Sequence, residues 1–160
     1  MSVEIERKFL VDNIPRNLGE YVSIESDQGY LSAENSESVE LRLRRKKRKG
    51  ETTHLLAIKK GDGLQRDEIE IEIPADIYTM IWPKTEGRRI EKTRYEIPYG
   101  NHLVELDVYY GHLGGLITAE VEFDDLKLAN SFVPPSWFGR EITEDSRYKN
   151  KNLALKGLPG

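Results

Sequence analysis

The sequence predicts a mainly β (α+β) protein: an eight-stranded antiparallel closed β-barrel with a charged lumen and a few flanking helices. Three observations carry that prediction. Segment after segment alternates apolar with charged residues, and a period of two marks a strand whose successive side chains point to opposite faces. The links between segments are short and turn-like, which implies hairpins, because parallel neighbours need a crossover of about a dozen residues. The charged positions are also segregated by sign from strand to strand, as two walls of one enclosed polar space would be. Eight antiparallel strands can close into a barrel that holds one small ligand.

In chain order, Val3, Ile5 and Phe9 alternate with Glu4, Glu6, Lys8 and Leu10. Residues 28–32 are strand-like by composition. Val39, Leu41 and Leu43 then interleave with Glu40, Arg42 and Arg44, followed by a compositional strand at 55–60. Ile69, Ile71 and Ile73 interleave with Glu68, Glu70 and Glu72, and 88–95 forms a sixth strand. Val104, Leu106 and Val108 interleave with Glu105, Asp107 and Tyr109, and Ala119, Val121 and Phe123 with Glu120, Glu122 and Asp124. Turns fall at Arg48-Lys49-Gly50-Glu51, Lys60-Gly61-Asp62-Gly63 and Pro98-Tyr99-Gly100-Asn101. A helix is expected from Pro74 to Trp82, with Ile77, Met80 and Ile81 on one face and Pro83 ending it. A second runs from Leu126 to Phe132, capped by Asp124 or Asp125, and a last from Thr143 or Asp145 towards Leu155. No repeat or linker divides residues 1–160, so one domain is expected.

Composition excludes several classes of function. There is no cysteine, hence no disulfide framework, thiolate zinc site or cysteine nucleophile. His54, His102 and His112 have no ligand spacing, so a histidine metal site is not expected. The N-terminus is charged where a leader would be apolar, and no run approaches the roughly 20 apolar residues of a membrane helix. The expected location is therefore the cytoplasm, with no membrane contact; helical segments and the lack of aromatic girdles argue against an outer-membrane barrel. The basic run from Arg44 to Lys49 has no interleaved aromatics and falls largely in a hairpin, which reads as a solvated tip rather than a nucleic-acid platform.

Charged residues make up 32% of the chain, against a usual share of about 25%. A sheet with one face in water also alternates polar and apolar residues, but its polar face is seldom almost wholly charged. Here basic pairs (Arg42/Arg44 and Lys92/Arg94) stand apart from acidic ones (Glu4/Glu6, Glu68/Glu70/Glu72, Glu105/Asp107 and Glu120/Glu122). Carboxylate clusters suit hard divalent cations, and Arg and Lys clusters suit phosphate oxygens. A metal-bound polyphosphate satisfies both walls at once. Because phosphoryl transfer needs mostly positioning and electrostatics, the same walls can hydrolyse what they bind.

Glu4-Ile5-Glu6-Arg7-Lys8 resembles the Glu-x-Glu-x-Lys motif of the CYTH superfamily, the triphosphate tunnel metalloenzymes. The resemblance continues through Glu40-Leu41-Arg42-Leu43-Arg44, Ala57-Ile58-Lys59, Arg66-Asp67-Glu68, Arg89 to Arg94, Glu105-Leu106-Asp107 and Glu120-Val121-Glu122. Gln28-Gly29-Tyr30, Trp137-Phe138-Gly139 and Arg147-Tyr148-Lys149-Asn150 are similar to the compact bacterial branch of inorganic triphosphatases. That resemblance implies hydrolysis of inorganic tripolyphosphate with magnesium or manganese. It implies metal-facing carboxylates at Glu4, Glu6, Asp107, Glu120 and Glu122. It further implies phosphate-holding cations at Lys8, Arg42, Arg44, Lys59, Arg66, Lys92 and Arg94, with Lys8 and Tyr30 cooperating on the attacking water.

Two alternatives stay open on these residues. One is nucleotide chemistry, as an adenylyl cyclase or a nucleoside or thiamine triphosphatase, although no base-recognising set stands out. The other is a polyphosphate-binding module without catalysis, which the same walls would serve. Dimerisation through an exterior face is compatible with the barrel, and no patch identifies it.

Overall fold

The computed structural model describes residues 4–31, 39–60 and 67–160. Nine strands form one sheet: β1 (Ile5–Val11), β2 (Val22–Tyr30), β3 (Val39–Arg48), β4 (Glu51–Lys60), β5 (Asp67–Glu72), β6 (Arg89–Tyr99), β7 (His102–Tyr109), β8 (Ile117–Phe123) and β9 (Phe138–Glu141). Their order is β5-β4-β3-β2-β6-β7-β8-β1-β9, and every pairing is antiparallel. The expected closed eight-stranded barrel is thus corrected to an open sheet of nine strands. The cause lies at β1. Its outer edge pairs with β9 through Phe9↔Glu141 and Val11↔Phe138, and the Lys8 carbonyl accepts from Ile142 N at 2.8 Å. With that edge occupied, β5 and β9 remain the two ends of the sheet.

Several strands, β2, β3, β4 and β6 among them, run longer than expected. In β2 the face shared with the charged residues carries Ile24, Ser26 and Gln28, so no charge marks the period there. In β3 five consecutive cations hide it, because both faces are basic from Arg44 onward. That hairpin turns only at Lys49 (φ 49°) and Gly50 (φ 81°), a two-residue turn with positive φ at both positions, which matches the twist of the flanking strands. Residues 61–63, expected as a turn, lie outside the described residues.

The apolar face of β1, β6, β7 and β8 packs Phe9, Val11, Ile97, Val104, Leu106, Ala119, Val121 and Phe123 against Ala129 and Phe132 from the region of helix α2 (Leu126–Ser131). Asp125 caps α2 by accepting from Leu128 N at 2.8 Å, as expected. Helix α1 (Ala75–Ile81) follows Pro74 as expected, and a 3-10 turn (Trp82–Thr85) continues it. That turn presses on β2: a Cβ added to Gly29 would stand 2.5 Å from Thr85 Cβ, so only glycine fits.

Helix α3 (Asn150–Lys156) is shorter than expected. Asp145 caps a separate 3-10 turn (Ser146–Tyr148) instead, accepting from Arg147 N. α3 buries Leu153 and Ala154 against Tyr30, Ile90, Tyr109, Leu113 and Leu116, with Leu10 and Tyr148 at the margin. Because Leu10, Tyr30 and Ile90 belong to the charged face, this second core covers one end of it and leaves the rest open.

Candidate active site

Strand register assembles the charged face. Across β4, β3, β2, β6 and β7 the pairs Ala57↔Arg42↔Tyr30, Leu55↔Arg44↔Gln28↔Ile90, and Lys46↔Ser26↔Lys92↔Tyr109 put these residues in shared rows. Arg94↔Asp107↔Thr118, Glu96↔Glu105↔Glu120↔Lys8 and Glu122↔Glu6 carry the same face through β8 to β1. Beyond β4, Glu70 and Glu68 of β5 stand opposite Ala57 and Lys59. A one-residue slip in any strand would turn its charges to the apolar side, so register builds the site.

Three carboxylates converge at the β1–β8 end. Ligand oxygens of Glu4, Glu6 and Glu122 all lie within 4.8 Å of one another. Water reaches Glu6, yet it stands between the strands among other anions. Loss of hydration, then the charges of Glu120 and Glu4, push its pKa up to about 8. Partial burial and then Glu4 raise Glu122 as well. Carboxylates crowded until one holds its proton form a set that a divalent cation would relieve, and oxygen ligands alone suit a hard ion. The donor set fits such a metal.

Glu120 and Asp107 face cations instead. Glu120 lies 3.5 Å from both Lys8 Nζ and Arg94. Asp107 is fully buried and accepts from Lys92 Nζ at 2.8 Å and from Arg94 Nε and a second guanidinium nitrogen at 2.7 and 2.8 Å. Burial works to raise the Asp107 carboxyl, but Lys92 and Arg94 outweigh it and hold it below the usual carboxylate range. Arg94 also donates to Glu105 at 2.9 Å, so one guanidinium joins the carboxylate end to the basic wall.

On β3, Arg44 donates to Glu70 at 2.7 Å and Arg42 at 3.2 Å, while Lys59 lies 3.8 Å from Glu68. Burial and then the Arg42 charge lower Arg44 to about 10, so it stays charged at neutral pH. Tyr30 accepts from Gln28 Nε2 at 3.3 Å, and burial pushes its phenol up to about 12. It is a neutral hydroxyl at neutral pH, not a base. Lys8 Nζ donates to the Tyr148 carbonyl at 2.8 Å.

No family model matches the chain. The inorganic triphosphatase of Nitrosomonas europaea is 50% identical over 154 residues, covering 95% of this chain and 97% of that protein. The inorganic triphosphatase of Acetivibrio thermocellus is 34% identical over 155 residues, covering 96% and 94%. The chain belongs to the inorganic triphosphatase family. A crystal structure of an inorganic triphosphatase superposes with a TM-score of 0.76 at 46% identity, covering 100% of this chain and 99% of that one. A Pyrococcus horikoshii protein shares the fold at 23% identity, with a TM-score of 0.53 over 79% and 82%.

In this triphosphatase-family chain the residues marked from sequence divide into three groups. Glu4, Glu6 and Glu122 meet. Lys8, Arg42, Arg44, Lys59, Lys92 and Arg94 line the same face, each beside a carboxylate, as do Glu120 and Asp107 beside cations. Lys8 and Tyr30 do not bond to each other; their strands stand four places apart in the sheet. Arg66 lies outside the described residues. The sequence places Glu70 and Glu105 in acidic pairs without marking them as site residues, and reads Lys46 as part of a solvated tip; their strand parity puts all three on the charged face. Arg7, inside the Glu-x-Glu-x-Lys motif, shares the parity of Ile5 and Phe9 and faces the other side. There Arg7 donates to the Ala129 and Phe132 carbonyls at 2.9 and 3.1 Å, tying down the end of α2.

Two cavities, of about 360 and 620 Å³, share Asp27 and Arg45, which sit on the opposite side of β2 and β3 from the charged residues. Their Arg45 is paired with Asp27, and Arg89 donates to Thr85 Oγ1 and the Trp82 carbonyl. Neither cavity is lined by the charged residues of the opposite face.

Proposed function

We propose that the protein hydrolyses inorganic tripolyphosphate to pyrophosphate and phosphate with magnesium or manganese. The observation that carries this reading is one continuous sheet face with the Glu4–Glu6–Glu122 cluster towards one end, the basic residues of β3 towards the other, and Arg94, paired with Glu105, Asp107 and Glu120, on the β6 strand between them. Glu4, Glu6 and Glu122 would hold the divalent ion, with Glu120 beside them. The bound ion would supply charge neutralisation and a more acidic water. Lys92 and Arg94, fixed in direction by Asp107, and Arg42 and Arg44, braced by Glu70, clamp phosphate oxygens and oppose the charge that builds on the transferring group. Lys59 extends that clamp towards β5. Lys8, held between Glu120 and the Tyr148 carbonyl, orients the attacking water, while Tyr30, buried beneath α3, accepts from Gln28 and steadies the row that carries Arg44. The new bond joins water oxygen to the phosphoryl phosphorus, the bridging P–O bond breaks, and the water's proton leaves with phosphate or solvent.

Phosphate release should be compared for tripolyphosphate, ATP and thiamine triphosphate, in magnesium, in manganese and in chelator. Metal-dependent release fastest from tripolyphosphate supports the reading. Turnover of ATP or thiamine triphosphate alone would move the chemistry to nucleotides or thiamine triphosphate, and binding without turnover of any of the three would leave a polyphosphate-binding module.

A further inference from the structure

Lys46 is the third member of the row Arg42, Arg44, Lys46, which rises along β3 in steps of about 6.6 Å. Each of the other cations named on this face stands beside a carboxylate. Lys46 does not: it is half-buried, and among the described residues it makes no ion pair or hydrogen bond. Opposite it on β2 is Ser26, which in turn stands opposite Lys92 on β6. Ser26 is only 6% exposed, and among the described residues its hydroxyl has no partner. A half-buried ammonium without a counter-charge and a buried hydroxyl without a partner are both unfavourable when nothing pairs them. Partial burial, and then the neighbouring Arg44 charge, weaken the hold of Lys46 on its proton; Glu70 opposes this but is already paired with Arg42 and Arg44, and Arg94 and Arg42 add to the loss. The surroundings of Lys46 are thus short of negative charge.

We infer that Lys46 and Ser26 form a further phosphate subsite, which holds the phosphoryl group of tripolyphosphate remote from the Glu4–Glu6–Glu122 cluster. This rests on the triphosphatase reading. The charges acting most strongly on Lys46 are Arg44, Glu70, Arg94 and Arg42, none of them from that cluster. Arg94 stands between the two ends, since it also contacts Glu105 and Glu120. A terminal phosphoryl group brings the missing charge to Lys46, and its oxygens can accept from both Lys46 Nζ and Ser26 Oγ. The subsite acts on substrate binding, because it lies away from the carboxylate end where water is activated.

The test compares Lys46→Met with Lys47→Met, which removes the same charge from an exposed position on the opposite face, and with Lys46→Arg. Tripolyphosphate binding is read by calorimetry in chelator, and KM and kcat are read in magnesium. Lys46→Met should raise both Kd and KM about tenfold with kcat within about twofold, as loss of one charge-assisted hydrogen bond predicts. Lys47→Met should stay within about twofold of the unchanged protein, Lys46→Arg within about threefold, and Ser26→Ala should raise Kd about threefold. Equal shifts in the Lys46→Met and Lys47→Met variants, or an unchanged Kd in Lys46→Met, would overturn the subsite. If the unchanged protein binds tripolyphosphate through Lys46 but releases no phosphate in either metal, the subsite stands and the hydrolytic reading falls.

Discussion

Asp107 accepts three hydrogen bonds from Lys92 and Arg94 and has no exposed surface, so removing its charge strands two cations. Asp107→Asn should cost about 3–5 kcal/mol in denaturant unfolding, as breaking a buried pair does, while leaving manganese affinity within about threefold. A large loss of manganese affinity without loss of stability would make it a ligand instead. Glu6→Gln should behave in the opposite way. It removes a repelled carboxylate, so stability should hold, while metal binding and turnover should drop about 100-fold or more, equivalent to about 2.7 kcal/mol. Glu6 also sets a pH dependence. Its pKa in the folded protein is about 8 against an ordinary 4.5. Between those values the folded chain keeps a proton that the unfolded chain has lost, so the metal-free protein should lose stability as pH rises through that window. A metal needs the carboxylate form, so its binding should release a proton and tighten as pH rises towards 8. Calorimetry in buffers of different ionisation enthalpy measures that proton; metal affinity independent of pH between 6 and 8 would contradict the assignment.

At the scale of elements, helix α3 and its preceding turn cover one end of the charged face. Leu153 is fully buried there beside Tyr30, Ile90 and Tyr109. Leu153→Ala should lower unfolding free energy by about 2–5 kcal/mol, and a loss below about 1 kcal/mol would mean that α3 is not part of the core. Five strands were legible because charge and apolarity alternate along them, and three more from composition; the parity of Glu4, Glu6, Lys8, Arg42, Arg44, Lys92 and Arg94 placed them on one face. What escaped was either short or uniform. β9 is four residues long, too few to display a period, yet it takes the edge of β1 on which closure depended. Lys46 sits in a run of cations where alternation cannot be seen, and only the strand's continuation to Arg48 assigns its face. The pairing of Asp107 with Lys92 and Arg94 is a matter of distances, which residue types do not encode.

Across the whole molecule, the acidic and basic groups of the face neutralise one another through Glu70, Asp107, Glu105 and Glu120. A chain of net charge -4 therefore presents a local site for a polyanion once a metal joins the carboxylates. Metal and tripolyphosphate together at about 100 times their dissociation constant should stabilise the fold by about 2.7 kcal/mol, a rise of several degrees in Tm, and chelator should remove most of it. Equal stabilisation by tripolyphosphate with and without metal would mean that the carboxylate cluster takes no part. The most direct measurement is phosphorus NMR of tripolyphosphate incubated with the protein in magnesium and in chelator. Its signals should give way to pyrophosphate and orthophosphate in equal amounts in magnesium and persist in chelator. Intact tripolyphosphate in magnesium, or equal breakdown in chelator, would contradict metal-dependent hydrolysis on this face.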